Sequence, residues 1–136
     1  MLRTAHLGCA ASHLPLHQPF ERPHLCLDQA AHRAALDARG ATIGVLGNGV
    51  DQPWPQGELT ERMTRDGLLL SEFQPGEPPR PHHFPLRNRI IAGIAAGTLI
   101  VEAAPKSGSL ITARLAGEAG REVMAVPGSP LDSRSQ

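Results

Sequence analysis

The chain has 136 residues, enough for one domain of ordinary size and too few for two. Hydrophobic residues make up 40% and aromatics only 3%, so the core must come from Leu, Ile, Val and Ala, and platforms for stacking bases are scarce. Thirteen basic and thirteen acidic residues cancel, which excludes a surface that is basic all over; no apolar run nears the roughly 18 residues that cross a bilayer.

Met1–Leu27 differs from the rest of the chain. It carries His6, His13, His17 and His24, both cysteines (Cys9 and Cys26) and no clean hydrophobic period. It lacks the apolar segment of a secretory signal, and the cysteines have no metal-ligand spacing. His13 and His17 stand four apart, but Pro15 lies between them and no third ligand is evident. The expectation is a disordered leader over 1–27 on a cytoplasmic protein, with no metal, no cofactor and no membrane contact.

From Asp28 the pattern tightens. Asp28–Arg39 is helix-favouring, with Asp28 placed as the cap and Gly40 as the stop. Ala41–Leu46 reads as a strand, Gly47-Asn48-Gly49 as a turn, Leu59–Asp66 as a helix and Gly67–Ser71 as a second buried strand. A proline-rich loop runs from Gln74 to Pro85, followed by a helix over Leu86–Ala96 and a strand over Thr98–Val101. Ser109–Ala119 is a helix closed by Gly120, and Glu122–Val126 is the fourth strand. Strands apolar on both faces and separated by single helices indicate an α/β layer fold with a mostly parallel sheet, whose strand C-termini share the ligand-binding edge. Four strands make a thin sheet, so the pattern reads as a piece of a larger fold.

Charge is uneven along this frame. Residues 80–114 carry Arg80, Arg87, Arg89, Lys106 and Arg114 against Glu102 alone, while the residues before them are net acidic. A local basic stretch on a neutral chain suits one anionic site, or else a solvated basic face. Lys106-Ser107-Gly108-Ser109-Leu110-Ile111-Thr112 follows a strand and opens a helix. Free N–H groups, three hydroxyls, a lysine and a glycine there have the chemistry of a phosphate cradle, or of an ordinary cap with a lysine beside it. The spacing is that of neither a Walker loop nor a dinucleotide fingerprint.

Arg87-Asn88-Arg89 opens the preceding helix on the same edge. Its guanidiniums await an anion, or remain solvated while Asn88 points inward. His82-His83 lacks a third ligand and reads as packing, and Phe84 either stacks a base or plugs its loop. Asp51 and Glu102 are the acids near the edge. No nucleophile–base set can be assembled, so the residues favour binding over turnover.

In order and spacing, a longer set of residues resembles the DNA-processing protein A family (DprA, also called Smf). The set is Asp28-x-x-Ala31-His32-Arg33-x-Ala35-Leu36, Gly44-Val45-Leu46-Gly47-x-Gly49-Val50-Asp51 and Leu70-Ser71-Glu72-Phe73, continuing with Pro81-x-x-Phe84-Pro85-x-Arg87-Asn88-Arg89-Ile90-Ile91-Ala92-Gly93, Val101-Glu102-Ala103, Ser107–Ala113 and Gly120-Arg121-x-Val123-x-Ala125-Val126-Pro127-Gly128. The resemblance implies a Rossmann-like three-layer fold that lacks its first strand, with 28–132 a partial domain and 133–136 a tail. It further implies a homodimeric, non-catalytic mediator that binds single-stranded DNA and loads the RecA recombinase during natural transformation. Arg87, Asn88, Arg89, Lys106, Ser107, Gly108, Ser109 and Thr112 would form the DNA pocket, with Phe84 as a possible stacking residue. The family's opening Gly-Ser-Arg turn and the basic residue after Asp51 have no counterpart here. Two alternatives stand beside this reading: a phosphoribohydrolase-like enzyme using Glu102, and a remnant without function.

Overall fold

The computed structural model describes residues 27–101, 103 and 107–128. The leader to residue 26, Glu102, Lys106 and the tail therefore lie outside the described residues. The elements run α1 (Leu27–Asp37), β1 (Ile43–Val45), α2 (Glu58–Asp66), β2 (Leu68–Leu70), α3 (His83–Ile94), β3 (Gly97–Ile100), α4 (Gly108–Glu118) and β4 (Glu122–Ala125). Strict alternation of helix and strand gives the expected α/β class.

Most boundaries follow from local chemistry. α2 opens after Gly57, whose φ of 145° suits only glycine, and Glu58 and Glu61 place negative charge at the positive end of the helix. α3 starts three residues earlier than expected, because Pro85 falls in the first turn, where its missing N–H leaves no bond unmade. α4 ends as the sequence indicates. Gly120 takes φ 67° and donates to Gly117 O, while Arg121 N–H donates to Ala116 O.

The end of α1 departs from expectation. Arg39, not Gly40, occupies the left-handed position with φ 54°, and the same pair of closing bonds runs from Arg39 to Leu36 and from Gly40 to Ala35. At the other end, Asp28 lies inside the first turn and does not precede it.

The strands are all in parallel pairs, yet they form two sheets and not the one expected. β1 pairs with β2 through Ile43–Leu68, Gly44–Leu69 and Val45–Leu70. β3 pairs with β4 from Gly97–Glu122 through Ile100–Ala125. α1 packs on α2, and α3 packs on α4, so the helices form two layers; α3 also reaches β1, while α4 covers β3 and β4.

Leu36, Val45, Leu46 and Met63 are buried around the first sheet. Around the second sheet the buried side chains are mostly small or hydroxylated: Ala95, Thr98, Ser109, Thr112 and Ala116. The fourth strand, apolar in sequence, is exposed at every residue of β4, Met124 by 51%. α4 covers too little of β4 to hide Val123 and Met124. Leu68 of β2 is also exposed.

Candidate nucleic-acid interface

The C-terminal ends of β1 and β2 feed a loop cluster that is knitted by polar bonds. Asn48 is buried, and its amide donates to Gly49 O and Gln52 O; its own backbone carbonyl accepts from Ser71 Oγ at 2.6 Å. Both carboxylate oxygens of Asp51 accept the Gly76 N–H, at 2.9 and 3.0 Å. A Cβ at Gly49 would stand 2.6 Å from both Asp51 Oδ1 and Gln74 O, so only glycine lets these loops approach.

His83 closes the cluster from α3. Its Nδ1 donates to Gly47 O at 2.8 Å, its ring stacks on Phe73 with centroids 4.1 Å apart, and its Nε2 lies 3.9 Å from Glu77. A carbonyl only accepts, which fixes the tautomer with the proton on Nδ1. The packing expectation for this histidine holds. Phe84 sits 3.1 Å from where a Gly47 Cβ would be and tilts against Trp54 at 5.8 Å, so in this structure it plugs the loop.

The Arg87-Asn88-Arg89 triplet is divided three ways. Successive helical residues project about 100° apart, so three in a row cannot share one face. Arg87 lies 5.6 Å from the Phe84 ring centroid and donates through Nη1 to Val45 O of β1. Burial holds its guanidinium below the usual arginine range, partly offset by Asp28, and its Nε has no hydrogen-bond partner among the described residues. Asn88 is buried. Arg89 is exposed and paired with Glu72.

Arg89 faces Arg114 across a cleft of about 440 Å³ between α3 and α4, lined also by Leu86, Ile111 and Leu115. Arg114 was not singled out by sequence reasoning, although its spacing with Ile111 on one helix places the two on one face. It pairs with Glu118 at 3.5 Å, and Arg80 pairs with Glu77 at 3.2 Å. Among the described residues of the basic stretch, then, every guanidinium already has a protein partner.

The second candidate group stays together. Ser107 occupies the N-cap position of α4, is 8% exposed, makes no capping bond, and leaves its buried Oγ unpartnered among the described residues. Gly108 begins the helix, Ser109 and Thr112 are buried one turn apart, and Thr112 Oγ1 donates to Gly108 O at 3.2 Å. Lys106 precedes this group in sequence but lies outside the described residues, as does Glu102.

Residues 25–136 match the model of the DNA recombination-mediator protein A family. The chain belongs to that family. It is 50% identical over 111 residues to the DNA processing protein DprA of Streptococcus pneumoniae, covering 80% of this chain and 39% of that one. Against DprA of Bacillus subtilis it is 46% identical over 108 residues, covering 78% and 36%. The chain thus spans under two fifths of the length of these relatives.

Solved structures agree on the fold. The crystal structure of DprA from S. pneumoniae superposes with a TM-score of 0.70 at 48% identity, covering 80% of this chain and 39% of that one. DprA from Helicobacter pylori, solved to describe its single-stranded DNA binding mode, gives 0.72 at 27% identity and covers 80% and 50%. Among the described residues no helix is long and apolar enough to cross a membrane.

Proposed function

We propose that this family member binds single-stranded DNA through its phosphate backbone, as a cytoplasmic, non-catalytic recombination mediator that hands the strand to RecA. The observation that carries the reading is the start of α4. An eleven-residue helix opens with a buried Ser107 Oγ that has no partner among the described residues and with a glycine at its first position, and the free N–H groups of its first turn favour an anion. Lys106, next in sequence, supplies a positive charge, and Arg89 and Arg114 line the neighbouring cleft. Residues 28–132 are the working unit of this reading.

Affinity is modest in this reading, because Arg89 and Arg114 must leave Glu72 and Glu118 before they meet phosphate. The test is fluorescence anisotropy with labelled single-stranded DNA, with duplex DNA as control, over a range of salt. Binding should prefer the single strand and weaken with salt at a log–log slope of about −0.7 for each phosphate neutralised. The double variant Lys106→Ala, Arg89→Ala should flatten the slope by one to two such steps. An unchanged slope in a folded variant overturns the assignment of the pocket.

A further inference from the structure

The aromatic residues of the chain are Phe20, Trp54, Phe73 and Phe84. Phe73 and Phe84 are half-buried and held by the protein. Phe73 lies on His83 with centroids 4.1 Å apart, and Phe84 is wedged against Gly47. Trp54 differs. It is 42% exposed, in the loop between β1 and α2, at the strand end where parallel sheets present their ligands.

This loop is pinned on both sides of the indole. Asn48 Nδ2 donates to Gln52 O at 2.5 Å, and Thr60 Oγ1 donates to Pro55 O at 2.5 Å. Pro53 and Pro55 hold their own φ at about −65°, which removes backbone freedom from both neighbours of Trp54. Phe84 braces the ring, with centroids 5.8 Å apart and planes inclined by 57°, so the two rings do not lie flat on each other. Phe84 in turn has the Arg87 guanidinium 5.6 Å from its centroid, and Arg87 is anchored to Val45 O of β1. The exposed indole therefore stands on a support that runs back to the strand. Little freedom is left to lose when a flat ligand lands on it.

The surroundings select among flat ligands. From Asp51 to Leu59 the sequence carries Asp51 and Glu58 and no lysine or arginine, so the loop repels a phosphate. Gln52 and Gln56, both exposed and neutral, and the exposed Val50 flank the ring in sequence. A nucleobase suits this surface, because it is uncharged and every base has a π-face. A base within a duplex has its faces covered by its neighbours, whereas a single strand can turn one out onto an aromatic side chain.

We infer that Trp54 is a base-stacking subsite for single-stranded DNA, a reading that rests on the DNA binding proposed above. It takes one unpaired nucleobase, and it gives the protein a preference for single strands that phosphate contacts alone do not supply.

The test uses the purified full chain, whose intrinsic emission reports Trp54 directly because it has one tryptophan and no tyrosine. Unlabelled oligothymidylate should quench that emission along the same isotherm as the anisotropy of a fluorescein-labelled copy. An abasic oligodeoxynucleotide of equal length should leave the emission unchanged and bind about tenfold more weakly. Trp54→Ala should lose the same factor of about ten for oligothymidylate, keep its affinity for the abasic strand and leave the salt slope unchanged. Trp54→Phe should recover most of the loss, since a smaller ring still stacks.

Binding of oligothymidylate without quenching overturns the subsite and leaves DNA binding standing; the exposed indole then belongs to a protein contact instead. Wild-type affinity in Trp54→Ala overturns it in the same way, as does quenching by the abasic strand, which has no base to stack. No binding of either strand by a chain that melts cooperatively overturns the DNA-binding reading itself, and the subsite falls with it.

Discussion

The two halves of the molecule bury different chemistry under the same secondary structure. The β1–β2 half encloses Leu36, Val45, Leu46 and Met63 and ties its loops with Asn48, Asp51, Ser71 and His83. The β3–β4 half buries alanines and hydroxyl side chains and leaves Val123, Met124 and Val126 in solvent. Both have a helix–strand alternation and both pair in parallel, so pairing alone does not make a core. What differs is coverage: β1 has α3 on one face and α1 tied at its entry through His32 and Thr42 (2.7 Å), whereas among the described residues α4 is the helix packed on β4. Most of the larger buried apolar side chains lie in the first half, and the candidate anion site opens the helix of the second.

The sharpest way to break that comparison is to delete the same side chain in each half. Met63 is 3% exposed and wedges between Gly44 and Gly67, with its Cε 3.2 Å from a Cβ built at Gly44. Met63→Ala should cost about 3 kcal/mol in urea unfolding, as a cavity in a close-packed core does. Met124→Ala, on the exposed strand, should change stability by less than about 0.5 kcal/mol. Similar losses at both sites would mean that the second sheet is packed as tightly as the first.

Glycines give the next contrast. Gly49→Ala drives a methyl group into Asp51 and the Gln74 carbonyl and should cost about 2 kcal/mol, with faster amide exchange at Gly76. Gly117→Ala, inside α4 with open space around it, should gain about 0.5–1 kcal/mol. Thermal melts of the two variants moving in the same direction would contradict the difference in loop packing.

The fold was largely legible because alternation of helix and strand is a local property. Gly120, Gly57 and the run Leu68–Leu70 act through their own backbone or their immediate neighbours. The exposure of β4 was not legible, since Val123 and Met124 are apolar and their exposure depends on the area covered by α4. The split of the sheet escaped for the same reason: strand neighbours are long-range contacts. In the candidate site, the group from Ser107 to Thr112 was readable from a strand followed by a helix start. The fate of Arg87 depended on a carbonyl 42 residues away, on the edge of β1. That Arg87, Asn88 and Arg89 take separate directions was available from helix geometry alone.

The smallest effect tests the two helix ends. α4 and α1 close with the same pair of bonds, but Gly120 holds the left-handed position in one and Arg39 in the other. A side chain pays about 1 kcal/mol for that backbone conformation, and the side chain of the exposed Arg39 shows no hydrogen bond or ion pair among the described residues that would offset it. Arg39→Gly should therefore raise stability by about 0.5–1 kcal/mol, less than the full strain because glycine also loosens the unfolded chain. Gly120→Ala should lower stability by about 1 kcal/mol, since it places a Cβ in the same conformation. If Arg39→Gly destabilises instead, the arginine side chain contributes more through its surroundings than its backbone costs, and the two ends are alike only in their hydrogen bonds.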